Sequence, residues 1–307
     1  MTEWEHHSVV FIHTRGHEEL CFLIVTNFGG IDLEKHFAVI GDPIAHSLSP
    51  IMHQAGYKTA GYVADYQKFQ VIPEALGEAV QGLRALGFTG WNVTVPHKEA
   101  ILPYLDELTV EAQRAGAVNT VKVKQGRLVG HNTDGSGLVR SLEDYLELSE
   151  AKKIVILGAG GAAKGIAMAL APFNVDLLIL NRTPERAKEL AQKVREYGGQ
   201  ASQAAWGPGE WIAQADCLIQ TTSIGLKNES YPFSLEGIRP GSVVVDIIFN
   251  PWETPFLKSA KTLDCRVLNG IDMLLYQGVN AWEFWFEDRA PVEAMKMALY
   301  QQCKPIR

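Results

Sequence analysis

The sequence predicts an α/β protein of two domains with mostly parallel sheets, and three observations predict it. The chain has 307 residues, about two domains' worth at roughly 150 residues each. Runs of β-branched and aliphatic residues recur along it, each followed by a glycine or proline turn and then by a segment with apolar positions at helical spacing. One run, Lys153 to Leu157, feeds straight into the glycine-rich turn Gly158-Ala-Gly160-Gly161-Ala-Ala163 and a helical segment, the strand–turn–helix unit of a parallel sheet.

In order, Phe37 to Gly41 reads as a strand, Pro50 to Ala60 as a helix and Tyr62 to Val71 as a strand. Glu74 to Leu86 reads as a helix, Gly90 to Val95 as a strand and Lys98 to Leu105 as a helix. Val118 to Lys124 and Arg127 to Gly130 flank Gln125-Gly126 as a hairpin. In the second half, strands are expected at Lys153–Leu157, Val175–Leu180, Cys217–Gln220, Val243–Ile247 and Arg266–Leu268. Helices are expected at Ala162–Ala171, Pro184–Tyr197, Met273–Phe286 and Pro291–Cys303.

Composition narrows the function classes. With 28 basic and 35 acidic residues the formal charge is −7, which argues against a nucleic-acid or anionic-membrane partner held by overall charge. Any anionic ligand needs a local pocket. No apolar run approaches the roughly 18 residues of a membrane span, and the N-terminus lacks the basic region of an export signal. Cys21, Cys217, Cys265 and Cys303 form neither a CxxC pair nor a Cys/His cluster of zinc spacing, so a reduced, cytoplasmic chain without a metal is the simplest reading. All nine histidines lie between His6 and His131, which first suggests that the front half does the chemistry.

The turn after Leu157 reads GxGxxA. Its first glycine permits a tight turn, its second lets a pyrophosphate approach the backbone, and its third position packs the helix on the strand. The helix start adds free N–H groups and a positive dipole end. At the end of the next strand stand Asn181, Arg182 and Thr183, with Arg186 close by. An NAD enzyme typically places an acid there; guanidinium groups instead match a 2′-phosphate. NADP is therefore favoured over NAD.

In the first half, Gly41-Asp-Pro-Ile-Ala-His46-Ser47-Leu-Ser49-Pro50 leads a strand into a helix, with Ser49 as the expected N-cap and Pro50 at the first helical position. The hydroxyls of Ser47 and Ser49 suit a carboxylate. Asn92-Val-Thr94-Val-Pro-His97-Lys98 delivers a lysine just beyond a strand's C-terminal end, where ligands bind in open α/β sheets. Gly116-Ala-Val-Asn119-Thr120 and Asn132-Thr133-Asp134-Gly135 bring two further polar groups. Asp134 also suits an ordinary helix cap.

Together these motifs, with NRTPERA (181–187), DIIFNPWETPFL (246–257) and NGIDMLLYQG (269–278), make the chain resemble the shikimate dehydrogenase family from about Phe37 to its end. The resemblance implies a substrate domain over 37–134 and 270–307, a Rossmann-like NADP-binding domain over 135–269, and C-terminal helices that return to the first domain. It implies NADPH-dependent, reversible reduction of 3-dehydroshikimate to shikimate, a small-molecule substrate, and a homodimer as the association it allows. It assigns Lys98 and Asp134 as the catalytic pair and Ser47 and Ser49 to the substrate carboxylate. Thr94, Asn119 and Gln277 fall to the ring hydroxyls, with Asn132 in support. The cofactor falls to Gly158, Gly160, Gly161, Ala162, Asn181, Arg182, Thr183 and Arg186. His46, His53, His97 and His131 lie in or beside the motifs but are expected to pack or support rather than act as bases.

Two positions depart from the family pattern: Phe249 stands where a tyrosine is usual and Gln54 where an asparagine is usual. Phe249 removes a hydroxyl that could reach substrate, which leaves quinate open as a second substrate. A non-catalytic sensor on the same fold would be expected to lose Lys98, Asp134 or the glycine turn, and all are intact. Residues 1–36 precede the family pattern; an upstream-translated disordered tail and a genuine strand-forming extension both fit them.

Overall fold

The computed structural model describes residues 34–150 and 152–303, so the two readings of the N-terminal extension concern residues that lie almost wholly outside the described ones. Around the first sheet come β1 (Lys35–Gly41), α1 (Ser49–Ala60), β2 (Ala64–Gln70), α2 (Leu76–Ala85), β3 (Gly90–Val93) and α3 (His97–Ala100). They are followed by β4 (Glu107–Leu108), α4 (Val110–Ala115), β5 (Thr120–Lys124) and β6 (Arg127–His131). The strand order is β2-β1-β3-β5-β6-β4, parallel from β2 to β3, with β5 antiparallel to both β3 and β6. The hairpin expected at Gln125-Gly126 is present. Both residues have positive φ, 51° and 74°, as a two-residue type I′ turn requires.

Next, α5 (Asp134–Leu142) leads to β7 (Lys152–Leu157), α6 (Gly161–Leu170), β8 (Val175–Leu180), α7 (Pro184–Glu196), β9 (Gln200–Ala204) and α8 (Trp211–Gln214). Then follow β10 (Cys217–Gln220), β11 (Val243–Asp246), α9 (Pro255–Thr262) and β12 (Arg266–Leu268). This sheet is parallel throughout in the order β12-β11-β10-β7-β8-β9. The order reverses between β7 and β10, and that switch point opens a crevice at the C-terminal ends of the two strands. Ile154 to Leu157 are wholly buried, as an unbroken aliphatic run covered on both faces must be.

α10 (Ile271–Phe286) and α11 (Val292–Cys303) turn back onto the first sheet. Trp282 and Trp285 join Phe37, Tyr57 and Tyr66 in one core cluster, and Trp285 Nε1 donates to the Val121 carbonyl at 2.9 Å. α5 is wedged between α6 and α10. Two glycines permit this: a Cβ on Gly135 would collide with the Gly165 carbonyl of α6, and one on Gly137 would strike the Gln277 backbone of α10.

Several local expectations need correction. Lys98 to Leu105 is not one helix: α3 ends after a single turn and a 3-10 turn follows over Leu102–Tyr104, because Pro103 cannot donate and crowds the preceding turn. Ser49 is not the N-cap of α1. The cap is Leu48, without a side-chain bond, and Ser49 is the first helical residue. Asp134 likewise opens α5 from inside, after Thr133 as N-cap, so its carboxylate is not spent on capping. The sequence reading left out β4, α4, β9, α8 and α9. These are short, and β9 reads Gln-Ala-Ser-Gln-Ala, a weak strand sequence whose pairing with β8 decides its conformation.

Candidate active site

The C-terminal end of β3 and the adjoining ends of β5 and β6 converge on one spot. Lys98, in the short α3, places Nζ 2.6 Å from Asp134 Oδ2, with side chains only 14% and 5% exposed. Because little solvent screens this pair, it is stronger and better oriented than a surface ion pair. Asn119 Nδ2 donates to the other oxygen, Asp134 Oδ1, at 2.9 Å, to Thr133 Oγ1 at 2.9 Å and to Gln277 Oε1 at 3.5 Å. The Asp134 N–H donates to Asn132 Oδ1 at 3.1 Å, and Asn132 Nδ2 to the Ala117 carbonyl at 2.9 Å. Thus Lys98, Asn119, Asn132, Asp134 and Gln277 are brought together, the last by the returning helix.

The other sequence-selected groups stand at the same end of the sheet. Ser49 is buried and Ser47 half-buried, and Ser47 Oγ accepts the Ser49 N–H at 3.4 Å. Thr94, half-buried past β3, turns its methyl group toward Gly41 at the end of β1. Phe249 is half-buried and packs on the cluster around Phe37 and Tyr66.

The second sheet supplies the opposite wall. An ideal Cβ on Gly161 would lie 3.2 Å from Lys98 Cβ, so the glycine turn faces the lysine directly. Gly158 holds φ at 121°, where side chains are strained, and abuts Thr221. Gly160 precedes α6 with no side-chain cap and nothing within 4 Å of where its Cβ would be. The turn fits a dinucleotide pyrophosphate on these grounds: open space, uncapped N–H groups and a helix N-terminus, with Ala162 in the first turn of α6. Beyond β8, Asn181 Nδ2 donates to the Thr183 carbonyl at 2.9 Å, and Arg182 and Arg186 are exposed, free to meet a phosphate.

The histidines lie elsewhere in the chemistry. His97 Nε2 donates to the Val71 carbonyl at 2.6 Å, and His131 pairs with Thr109 at 2.8 Å while stacked on Phe284. His53 is fully buried against Tyr66 and neither ring nitrogen has a partner; burial drives its pKa down to about 3. Among the described residues no cluster of three His, Cys, Asp or Glu side chains could hold a metal, and no helix is long and apolar enough to cross a membrane.

Sequence reasoning missed a second buried carboxylate. Asp246, at the end of β11, accepts from Thr254 Oγ1 at 2.7 Å, the Ile248 N–H at 3.0 Å and Gln220 Nε2 at 3.3 Å. Burial still raises its pKa to about 6. Gln220 in turn binds the Thr222 and Ile224 carbonyls, so Asp246 anchors the loop beside Gly158. Its membership in DIIFNP was the available signal, but the motif gave it no role.

Comparison with known proteins agrees with this geometry. Family models described as the shikimate dehydrogenase substrate binding domain, shikimate / quinate 5-dehydrogenase and the shikimate 5'-dehydrogenase C-terminal domain match residues 39–121, 141–227 and 270–300. The shikimate dehydrogenase (NADP(+)) of Desulfitobacterium hafniense strain Y51 is 76% identical over 267 residues, 87% of this chain and 98% of that protein. A crystal structure of shikimate dehydrogenase from Aquifex aeolicus superposes with a TM-score of 0.81 at 38% identity, covering 87% of this chain and 97% of that one. The Thermus thermophilus enzyme, solved with NADP(H) and shikimate, gives 0.78 at 36% identity over 87% and 99%. With its motifs, its two sheets and these relatives in agreement, the chain belongs to the shikimate dehydrogenase family.

Proposed function

We propose that this chain catalyses the reversible, NADPH-dependent reduction of 3-dehydroshikimate to shikimate, a step of aromatic amino-acid and chorismate biosynthesis, in the cytoplasm. The observation that carries this reading is the buried Lys98–Asp134 pair, 2.6 Å apart, set against the glycine turn. In this reading residues 37–134 with 270–307 bind the substrate and 135–269 bind NADP(H). Ser47 and Ser49 receive the substrate carboxylate, and Thr94, Asn119 and Gln277 hold the ring hydroxyls, with Asn132 keeping Asp134 in place. Gly158, Gly160, Gly161 and Ala162 receive the pyrophosphate, and Asn181, Arg182, Thr183 and Arg186 the 2′-phosphate end.

NADPH, when bound, supplies the hydride that converts the substrate ketone to an alcohol. The Lys98 ammonium stabilises the negative charge that grows on the ketone oxygen and donates the proton that completes the alcohol. Asp134 keeps Lys98 aimed until that transfer, and Asn119 holds Asp134 from its other oxygen. Lys98 then regains a proton from solvent through its 14% exposed edge.

The test is turnover of the purified chain with shikimate and with quinate, each with NADP and with NAD. Shikimate with NADP is expected to be the fastest pair; absence of that activity overturns the reading. Preference for quinate would instead favour the second reading, for which Phe249 in place of a tyrosine speaks. Assembly as a homodimer, which the family resemblance allows, is checked by light scattering.

A further inference from the structure

Reacting atoms must approach to about 3–3.5 Å, and a misplacement of about 1 Å costs on the order of a hundredfold in rate. In this fold that approach spans two bodies, because Lys98 stands with the first sheet and the glycine turn with the second. Lys98 sits in α3, which is fixed to the first sheet: His97 Nε2 donates to the Val71 carbonyl at 2.6 Å and the Val118 N–H to the Lys98 carbonyl at 2.7 Å. Gly161 opens α6, which is fixed to the second sheet through Ala163, Ile166 and Ala167 in its core cluster. Two contacts join these bodies beside the catalytic pair. One is the packing of Gly161 on Lys98, where an added Cβ would lie 3.2 Å from Lys98 Cβ. The other is an ion pair: Lys164 Nζ donates to Glu99 Oε2 at 2.6 Å, with side chains 28% and 46% exposed. Glu99 and Lys164 each stand one residue beyond a motif, NVTVPHK (92–98) and GAGGAA (158–163), and neither has a role in the functional reading.

We infer that Glu99 and Lys164 are a positioning pair that sets the gap across which the hydride passes. This rests on the functional reading above, which puts the substrate on the Lys98 side and the cofactor on the glycine turn. The register of the two contacts carries it. Lys98 and Glu99 are consecutive in the single turn of α3, while Gly161 and Lys164 are three residues apart on α6 and share one face of its first turn. The contacts therefore lie side by side, Lys98 against Gly161 and Glu99 against Lys164. The first is steric and limits how closely α3 and α6 approach; the second is attractive and keeps them from parting. A stop and a tether together define a distance, which neither defines alone. The two charges on α3 have separate partners, since the Lys98 ammonium bonds to Asp134 and the Glu99 carboxylate to Lys164. Farther out, the Arg114 guanidinium of α4 lies over the ring of Tyr197, just past α7, at 5.3 Å. That seam holds the two bodies together when the ion pair is removed, so only the local gap changes. A half-exposed ion pair adds little to folding stability, and its loss belongs in the rate rather than in the melting temperature.

Glu99→Gln keeps the shape and removes the charge. With NADPH and 3-dehydroshikimate both saturating, the single-turnover rate of hydride transfer, followed by stopped flow, should fall about three- to fivefold. The dissociation constants of NADPH and shikimate and the melting temperature should stay at their wild-type values. Glu99→Lys, which sets two cations against each other, should lower the rate at least about tenfold. Adding Lys164→Glu to Glu99→Lys rebuilds the pair with its signs exchanged and should bring the rate back to within about twofold of wild type. This reversal separates positioning from direct electrostatics, because Glu99→Lys still leaves a cation next to Lys98 and Lys164→Glu an anion next to the glycine turn. Failure of the double variant to recover overturns the inference, as does an unchanged transfer rate in both Glu99 variants. Lys164→Met breaks the same bridge from the other side. A loss of NADPH affinity there that Glu99→Gln does not share would make Lys164 a cofactor ligand and overturn it too. A readout without substrate or cofactor is chemical: a carbodiimide joins a carboxylate to an amine in direct contact, and it should link Glu99 to Lys164 in the free chain, detected as a joined peptide by mass spectrometry. Absence of that peptide also overturns the inference. Failure of the functional reading is separate: the wild-type chain would then not oxidise shikimate with NADP, yet the Glu99–Lys164 link would still form.

Discussion

On the first-sheet wall of the cleft, Lys98, Asn119, Asp134 and Gln277 are already hydrogen-bonded to one another and mostly buried, whereas on the nucleotide wall Arg182 and Arg186 are exposed and bond to none of the described residues. The first wall is preorganised: the entropy of ordering its side chains is lost during folding, so little remains to be lost in reaching the transition state. On the second wall the N–H groups at the start of α6 are ordered by the helix itself, whereas the long, exposed Arg182 and Arg186 side chains keep their rotamer freedom. Chemistry demands fixed geometry; binding of a flexible cofactor tolerates late ordering.

The contrast can be broken most directly at Lys98. Lys98→Ala is expected to lower kcat on the order of a thousandfold while NADPH affinity changes less than about twofold, measured by steady-state kinetics and fluorescence titration. A parallel loss of cofactor affinity would show that the walls do not act separately. At the other wall, Arg182→Ala should cost at least about tenfold in NADPH affinity relative to NADH, with KM for shikimate unchanged at saturating cofactor. An unaltered NADPH-to-NADH ratio would remove the 2′-phosphate role.

Acidity should sharpen the same contrast, because each region buries one misfit group and the two act in opposite directions. His53 titrates near 3 in the fold against 6.5 ordinarily. The unfolded chain takes up that proton first, so stability present above about pH 6.5 is lost as the pH falls. Asp246 titrates near 6 against 3.8. Here the native state takes up the proton first, and the stability present below about pH 3.8 is lost as the pH rises through about 6. Between about pH 4 and 6 the two slopes oppose each other. His53→Phe, which keeps an aromatic ring beside Tyr66, should therefore make the protein gain stability on acidification from pH 6 to 4 relative to wild type. Urea midpoints across that range check it; parallel curves for the two proteins would sink it.

The smallest effect is expected at Phe249. Phe249→Tyr restores a hydroxyl to a half-buried position and should change the shikimate-to-quinate preference by only a few-fold, the scale of one exposed hydrogen bond. No change in that ratio would mean the side chain does not reach the substrate.

How far the site was legible follows from which residues lie close together in sequence. Gly158, Gly160, Gly161 and Arg182 stand in a strand–turn–helix–strand unit whose chemistry is local, and Lys98 and Asp134 stand beside strand ends in short polar motifs. Tyr66 stands in no motif, and the motifs that contain Asn92 and Asp246 gave those two residues no role. Their partners are 26 residues away for both Tyr66–Asn92 and Gln220–Asp246, and only sheet register brings them into contact. His53 was expected to pack although it lies beside a motif, and its complete burial makes it an uncharged stacking partner of Tyr66.

By itself the sequence determined the α/β class, the parallel second sheet, the hairpin at Gln125-Gly126 and the choice of the lysine and aspartate that the fold brings together. Those features rest on periodicity, turn chemistry and residue type, which act over a few residues. Tertiary structure alone decided that Asp134 is free of capping duty, that Gln277 returns from the far end of the chain to meet Asn119, and that the Tyr66 hydroxyl meets the Asn92 side chain. Each depends on hydrogen bonds and glycine-permitted helix contacts between segments far apart in the chain, and such contacts exist only once the sheets have paired and the core has closed.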